Sequence, residues 1–255
     1  PMAKLQDGSS TNFEGLLYEF NETTSIFQST YNLATENYRE PAYLTDSFYA
    51  DASSNNAIGI TEAILQTEYN DMVISVNKYK GFYVARYELG LDTNNNAVSM
   101  PASSDGSSLV TTADASNSAT YRWYGLYSKA KSMYPKTENN IVTSSMIWGS
   151  QYDAMMNWMA KTGNNVGKID LTKYNQSTST GYKSNQDKDI INNVYDLYGC
   201  HYEWILGAKD DDSREERGGC YVWNQNYPYP PASRTARLSS DPMERSSTRI
   251  TMYIK

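Results

Sequence analysis

Residues 61–88 read TEAILQTEYNDMVISVNKYKGFYVARYE. Leu65, Tyr69, Met72, Val73 and Val76 recur every three or four residues, the spacing that lines one face of a helix. Thr61 offers a hydroxyl for the N-cap, and Gly81 supplies a stop. The next six residues, Phe82-Tyr83-Val84-Ala85-Arg86-Tyr87, are aromatic and β-branched and read as a strand. A helix followed at once by a strand places both kinds of structure in one small unit, and the flanks extend that reading.

Downstream, residues 90–118 are rich in Ser, Asn, Asp and Ala and read as a long loop or weak hairpin. A loop of that length in a compact domain is a functional or mobile one. Thr120 can cap a second helix carrying Trp123, Leu126, Tyr127, Ala130 and Tyr134, with Pro135 ending it. A third helix is expected from Ser150, with Tyr152, Met155, Met156 and Met159 inward as adaptable packing and Gly163 as its stop. Residues 164–188 form another polar loop, and the chain closes on the alternating strand Arg249–Ile254. Upstream, residues 1–58 are polar, with turn formers such as Asp7-Gly8, and read as irregular structure with a few short strands. No internal repeat is visible. The expected architecture is α+β, with small antiparallel sheets, two or three helices and long irregular loops. Residues 1–58 are expected as an extension packed on a main domain of residues 59–255.

Composition narrows the function. The 255 residues hold 23 Tyr but 5 Phe, and their hydrophobic share is 39%. Tyrosine packs its ring while its hydroxyl keeps a polar partner, which suits partly buried surfaces. A net charge of −7 disfavours nucleic acid as a general partner. Apolar runs fall far short of a membrane span, and no secretory signal opens the chain. The start at Pro1 suggests a trimmed piece of something longer. Two cysteines, Cys200 and Cys220, cannot build a disulfide framework or a four-thiolate site. One histidine, His201, argues against Ser-His-Asp catalysis and rules out a multi-histidine metal site.

Four segments together resemble the formylglycine-generating-enzyme-like, sulfatase-modifying superfamily. They are Gly81 to Glu88; Trp148-Gly149-Ser150-Gln151-Tyr152-Asp153-Ala154-Met155; Asn193 to Trp204, in which Tyr195-Asp196-Leu197 leads to Gly199-Cys200-His201-Tyr202-Glu203-Trp204; and Arg217-Gly218-Gly219 with the later Ser247-Thr248-Arg249-Ile250. The third and fourth are the specific ones, and together the four span roughly residues 60–255. The resemblance implies a C-type lectin fold. It does not carry the oxidase activity, because that branch needs a pair of cysteines downstream of the Arg-Gly-Gly turn to hold copper, and thiolates are the ligands that suit Cu(I). Cys220 lies directly against that turn, no cysteine follows it, and Cys200 stands where the signature has Asn. A copper oxidase descendant would need Cys200 and Cys220 close together.

The same fold, as the resemblance implies, serves C-type lectins and the variable proteins of diversity-generating retroelements, which display a variable C-terminal binding face. The C-terminal region fits that pattern: frame positions at Arg217–Gly219, Pro231–Ser233, Arg237, Pro242 and Arg249–Ile254 alternate with inserts of no helical or strand period. The expected ligand-binding residues are Tyr221, Val222, Trp223, Asn224, Gln225, Asn226, Tyr227 and Tyr229 in the first insert. Leu238, Ser239, Ser240, Met243, Glu244 and Arg245 follow in the later ones. Large side chains held on loops by a rigid scaffold make a binding surface. The expectation is a non-enzymatic receptor-binding module for a protein or glycan on another cell or particle, placed outside the cell, on its surface or on a virion. A fixed-sequence lectin-like structural component is the other reading of the same region.

In the superfamily, the stretch here running from Asp196 to Glu203 resembles one that wraps calcium, with side-chain oxygens from Asp196 and Glu203 and carbonyls from Gly199 and His201. Oxygen ligands around a glycine turn suit Ca²⁺. The alternative is that Asp196 and Glu203 pair with arginines or cap backbone, and Cys200 breaks the usual calcium pattern, so no cofactor is required. Six of nine arginines fall late: Arg214, Arg217, Arg234, Arg237, Arg245 and Arg249. For Arg217, Arg237 and Arg249 the expected role is bidentate pairing that locks loops together, while Arg245 is available to ligand. The run Asp210-Asp211-Asp212-Ser213-Arg214-Glu215-Glu216 reads as a solvated turn, and His201 as structural.

Overall fold

The computed structural model describes residues 2–5, 19–21, 26–28, 60, 62–94, 96–99, 101, 122–162, 192–197, 201–208, 213–220, 234–238 and 246–255. The helices there are α1 (Glu62–Tyr79), α2 (Trp123–Ser132) and α3 (Gly149–Thr162). The early strands are β1 (Met2–Leu5), β2 (Glu19–Asn21), β3 (Ile26–Gln28), β4 (Phe82–Ala85), β5 (Leu89–Leu91), β6 (Ala97–Ser99) and β7 (Val142–Met146). The late ones are β8 (Tyr202–Ala208), β9 (Ser213–Arg217), β10 (Arg234–Leu238), β11 (Ser246–Thr248) and β12 (Ile250–Ile254). The class is α+β.

Helical spacing succeeds because burial follows it. In α1, Leu65, Met72 and Val76 are buried while Tyr69 and Val73 pack half-buried against the same core. The helix ends at Tyr79, two residues before the expected glycine: Lys80 takes the left-handed φ of 58°, and its N–H still donates to Val76 O at 2.8 Å. A lysine there carries strain that glycine would not. In α2, Trp123, Leu126, Tyr127 and Ala130 are buried as expected, but Arg122, not Thr120, stands at the N-cap and gives no side-chain cap. Tyr134 lies beyond the helix and is exposed. In α3, Tyr152, Met155, Met156 and Met159 are all fully buried.

Two four-stranded sheets organise the chain, in orders β1-β4-β12-β7 and β10-β9-β8-β11, with hairpins β2-β3 and β5-β6 beside them. The first sheet is antiparallel throughout. The second breaks the expectation of antiparallel sheets, since β11 runs parallel to β8. The stretch 90–118, expected as a long loop or weak hairpin, begins as the β5-β6 hairpin, and the strand expected over 82–87 stops at Ala85. Helix α1 packs on β4 and β12, α2 on β7, and α3 on β8. Trp148, Trp204, Phe82 and Met146 fill the core between these layers. Arg249 is the single residue separating β11 from β12, so the chain passes from one sheet to the other there. The Ile147 N–H donates to Arg249 O, and the Leu206 N–H to Ile147 O, both at 3.0 Å, tying the sheets across that point.

Candidate ligand-binding surface and its buried frame

Strand register gives the second sheet a defined end. Arg234 pairs with Arg217, Arg217 with Glu203, and Glu203 with Ser247, so these four residues form a row across all four strands. Just outside that row lie Gly218, where the chain leaves β9, and Ser246, where it enters β11. Both ends of the segment 221–233 and the far end of 239–245 are therefore anchored at the same edge of one sheet. Gly218 has a left-handed φ of 73°, a turn geometry that glycine adopts without a Cβ clash.

Leu238, the last residue of β10, pairs with Ser213 at the opposite end of the strand and is 43% exposed. Four residues of strand, about 13 Å, separate it from Arg234. The other expected ligand-binding residues, Tyr221, Val222, Trp223, Asn224, Gln225, Asn226, Tyr227, Tyr229, Ser239, Ser240, Met243, Glu244 and Arg245, lie outside the described residues.

Beneath these attachment points the expected arginines are paired with carboxylates, but not bidentately at Arg217, which divides between two, or at Arg237, which uses Nε alone. Arg217 is fully buried; it donates to Asp153 of α3 and, at 3.1 Å, to Glu215, and its guanidinium sits 4.8 Å from the centre of the Tyr152 ring. Arg237 donates from Nε to Glu216 at 2.9 Å, and Thr235 donates to the same oxygen at 3.3 Å. The other Glu216 oxygen accepts from Ser246. Glu216 thus gathers β10 and β11 onto β9. Burial raises its carboxyl above the ordinary range, against the opposing pull of Ser246 and Arg237.

These contacts correct two expectations. The acidic run is not a solvated turn over its second half: Ser213–Arg217 is strand β9, with Glu215 and Glu216 buried. Leu238, placed in an aperiodic insert, instead ends a paired strand. Both carboxylates are inside because each has a cationic or hydroxyl partner, without which burial would be costly. Glu215, Glu216 and Asp153 carry the frame, yet nothing in the local sequence singles out Glu216 or Asp153, since their partners are remote.

The residues of the candidate calcium stretch lie deeper. His201 is buried; its Nδ1 lies 2.9 Å from Glu88, and its backbone N–H donates to the same carboxylate at 3.1 Å. Burial pushes the imidazole down to about 3, with the Asp196 charge acting in the opposite direction. The ring is therefore neutral at pH 7, and the contact is an Nδ1–H donated to Glu88. Asp196 is buried with a left-handed φ of 65°. Glu203 pairs with Arg249, whose Nε lies 3.1 Å from each carboxylate oxygen and whose Nη2 lies 2.6 Å from one of them. The same guanidinium donates to Ala85 O and Arg86 O at 3.0 Å and to Tyr195 O at 2.8 Å. Desolvation is the largest single influence and works against the Arg249 charge, but Glu203, with Glu88 and Tyr152 behind it, raises the pKa on balance. Gly199 and Cys200 lie outside the described residues, and Cys220 is buried. Among the described residues, no three His, Cys, Asp or Glu side chains gather closely enough to hold a metal ion. No helix among them is long and apolar enough to cross a membrane.

No family model and no curated protein matches the chain. Among solved structures, Treponema denticola variable protein 1 is similar at 14% identity and a TM-score of 0.31, over 71% of this chain. The chain spans 65% of that structure's length. Likeness at this level leaves function to be argued from the chain's own residues.

Proposed function

We propose that the chain is a non-enzymatic ligand-binding module on a lectin-like scaffold, presenting residues 221–229 and 238–245 to a protein or glycan partner outside the cell. The observation that carries this reading is the shared anchoring of the two segments. Three of their approaches, through Arg217, which Gly218, Gly219 and Cys220 separate from the first segment, and at Arg234 and Ser246, sit at one end of a single sheet. Ion pairs with fully buried carboxylates hold that end in place: Arg217 to Asp153 and Arg237 to Glu216. A rigid frame beneath two attached segments is the arrangement that lets sequence change in the segments without loss of the fold. Their content suits recognition, since Trp223, Tyr227 and Tyr229 offer large contact area at small rotamer cost. The resemblance of Asn193–Trp204 and of Arg217-Gly218-Gly219 to proteins of this fold points the same way.

The test is sequence comparison among close genomic relatives, with the nucleotide context of the gene. Differences are expected to concentrate at 222–229 and 238–246, beside a reverse transcriptase gene and a repeat that differs from the 3′ end at adenines. Differences spread evenly along the chain overturn the reading.

A further inference from the structure

We propose that Arg249 is the resident cation at Glu203, its guanidinium occupying the carboxylate that a calcium ion would need there, together with three backbone carbonyls, so that the chain neither needs nor binds calcium at that carboxylate. Four groups converge on it. Glu203 supplies both carboxylate oxygens from β8, Ala85 and Arg86 supply carbonyls from the end of β4, and Tyr195 supplies a carbonyl from the 192–197 segment. A carboxylate with several carbonyls is the ligand chemistry of a calcium site. Here each of those oxygens already accepts an N–H, and the donor is fully buried.

The candidate calcium residues do not fit the ion. Glu203 would be its principal charged ligand, and both its oxygens are committed to Arg249. A divalent ion beside Glu203 would meet the guanidinium charge in a fully buried site, where like charges repel strongly. Glu88 cannot be recruited as a substitute, because its two oxygens take the His201 ring N–H and backbone N–H.

The arrangement also explains the position of the arginine. Arg249 is the one residue between β11 and β12, so its side chain joins the end of β4, the 192–197 segment and β8 at the point where the chain changes sheets. A diffusible ion would make that junction depend on its concentration; a side chain does not. The planar fork further fits acceptors spread around a plane, whereas calcium needs six to eight oxygens drawn in to about 2.4 Å.

The sole histidine supplies a local probe, because His201 lies two residues from Glu203 and its ring Nδ1 is held 2.9 Å from Glu88. The experiment follows the His201 imidazole resonances and the thermal melt of the full chain while calcium is added, and again after chelation. The expected result is no saturable shift of the His201 signals and no loss of melting temperature on chelation. A saturable His201 shift with calcium overturns the proposal.

Arg249→Ala supplies the second arm. Its melting temperature is expected to rise with added ethylguanidinium and not with equal ethylammonium or calcium. Rescue by calcium in preference to ethylguanidinium overturns the proposal as well. If that variant does not fold, the wild-type His201 titration decides alone.

Discussion

The carboxylate of Glu216 and the hydroxyl of Ser246 are hydrogen-bonded although thirty residues separate them and the strand β8 lies between theirs. The same carboxylate holds Arg237 and Thr235. One side chain therefore fixes where the segment 221–233 ends and where 239–245 ends. Replacing it with alanine strands the buried Ser246 hydroxyl. Arg237 is 34% exposed at its side chain and turns to water at little cost. Glu216→Ala is thus expected to lower stability by about 2 kcal/mol, the cost of leaving a buried polar group unsatisfied. A denaturant titration measures it, and a neutral result would remove Glu216 from the frame.

The same residue gives a pH signature. Its folded pKa is raised by burial, so folding favours the protonated form. Its stabilising contribution is complete below the ordinary carboxyl range and is lost as pH rises through the folded value. Glu216→Gln keeps an acceptor without the charge. It is expected to gain stability relative to the wild type as pH rises through that window and to stay level above it. Parallel pH profiles for the two proteins would contradict this.

His201 carries the opposite sign. Its folded value of about 3 lies below the unfolded value of about 6.5, so the unfolded chain binds the proton more readily. The contribution is complete above the unfolded value and is lost as pH falls from there towards 3. The shift alone corresponds to up to about 5 kcal/mol. The Glu88 carboxylate at 2.9 Å favours the imidazolium and makes the loss smaller. Because the chain has one histidine, an NMR titration reads it directly. An imidazole that titrates near its ordinary value in the folded protein rules out a buried neutral ring.

Gly207 shows how close the packing is around the frame. A Cβ built there would stand 2.9 Å from Glu215 Oε2 and 3.2 Å from Ile205 Cδ1. Glu215 Oε2 must give way, and the other oxygen of that carboxylate accepts from Arg217 at 3.1 Å, which limits how far it can turn. Gly207→Ala is expected to destabilise by about 1–3 kcal/mol, the usual range for overpacking a buried site. Glu215→Asp, one methylene shorter, in the same background should recover part of that loss if the clash with the carboxylate is its cause. No recovery would place the strain at Ile205 instead.

The helices were legible because burial in a helix repeats along the chain, so Leu65, Met72 and Val76, or Tyr152, Met155 and Met159, announce the face they bury. The late sheet was not. Strand β9 reads Ser-Arg-Glu-Glu-Arg, a pattern that suits water unless the partners are known. Those partners are distant: Asp153 is 64 residues from Arg217 and Ser246 thirty from Glu216. Ion pairs between remote segments leave no periodic mark, so the burial of four consecutive charged residues could not be read locally. Strand β7, Val-Thr-Ser-Ser-Met, was hidden for a related reason. Ser144 is buried because its hydroxyl donates to Ala130 O in α2 at 2.8 Å. The arginine roles were legible at Arg217, Arg237 and Arg249, where a planar donor in a loop-rich fold called for carboxylates.

The last prediction places binding energy in the attached segments and not in the frame. Leu238 is exposed at the end of β10, and Leu238→Ala should change stability by no more than roughly 0.5 kcal/mol, as surface substitutions do. It stands about 13 Å along the strand from Arg234, at the far end of β10 from the attachment of residues 221–233. Its truncation should therefore weaken binding less than that of an aromatic in the 221–229 segment. Trp223→Ala is expected to cost binding on the order of 2 kcal/mol, the size at which an interface residue counts as a hot spot. It should leave stability within the same narrow range as Leu238→Ala. Melting curves of the two variants, with their affinities for a partner selected on the wild-type chain, separate recognition from packing. A large fall in melting temperature for Trp223→Ala would make that tryptophan part of the core and take the anchor out of the proposed binding surface.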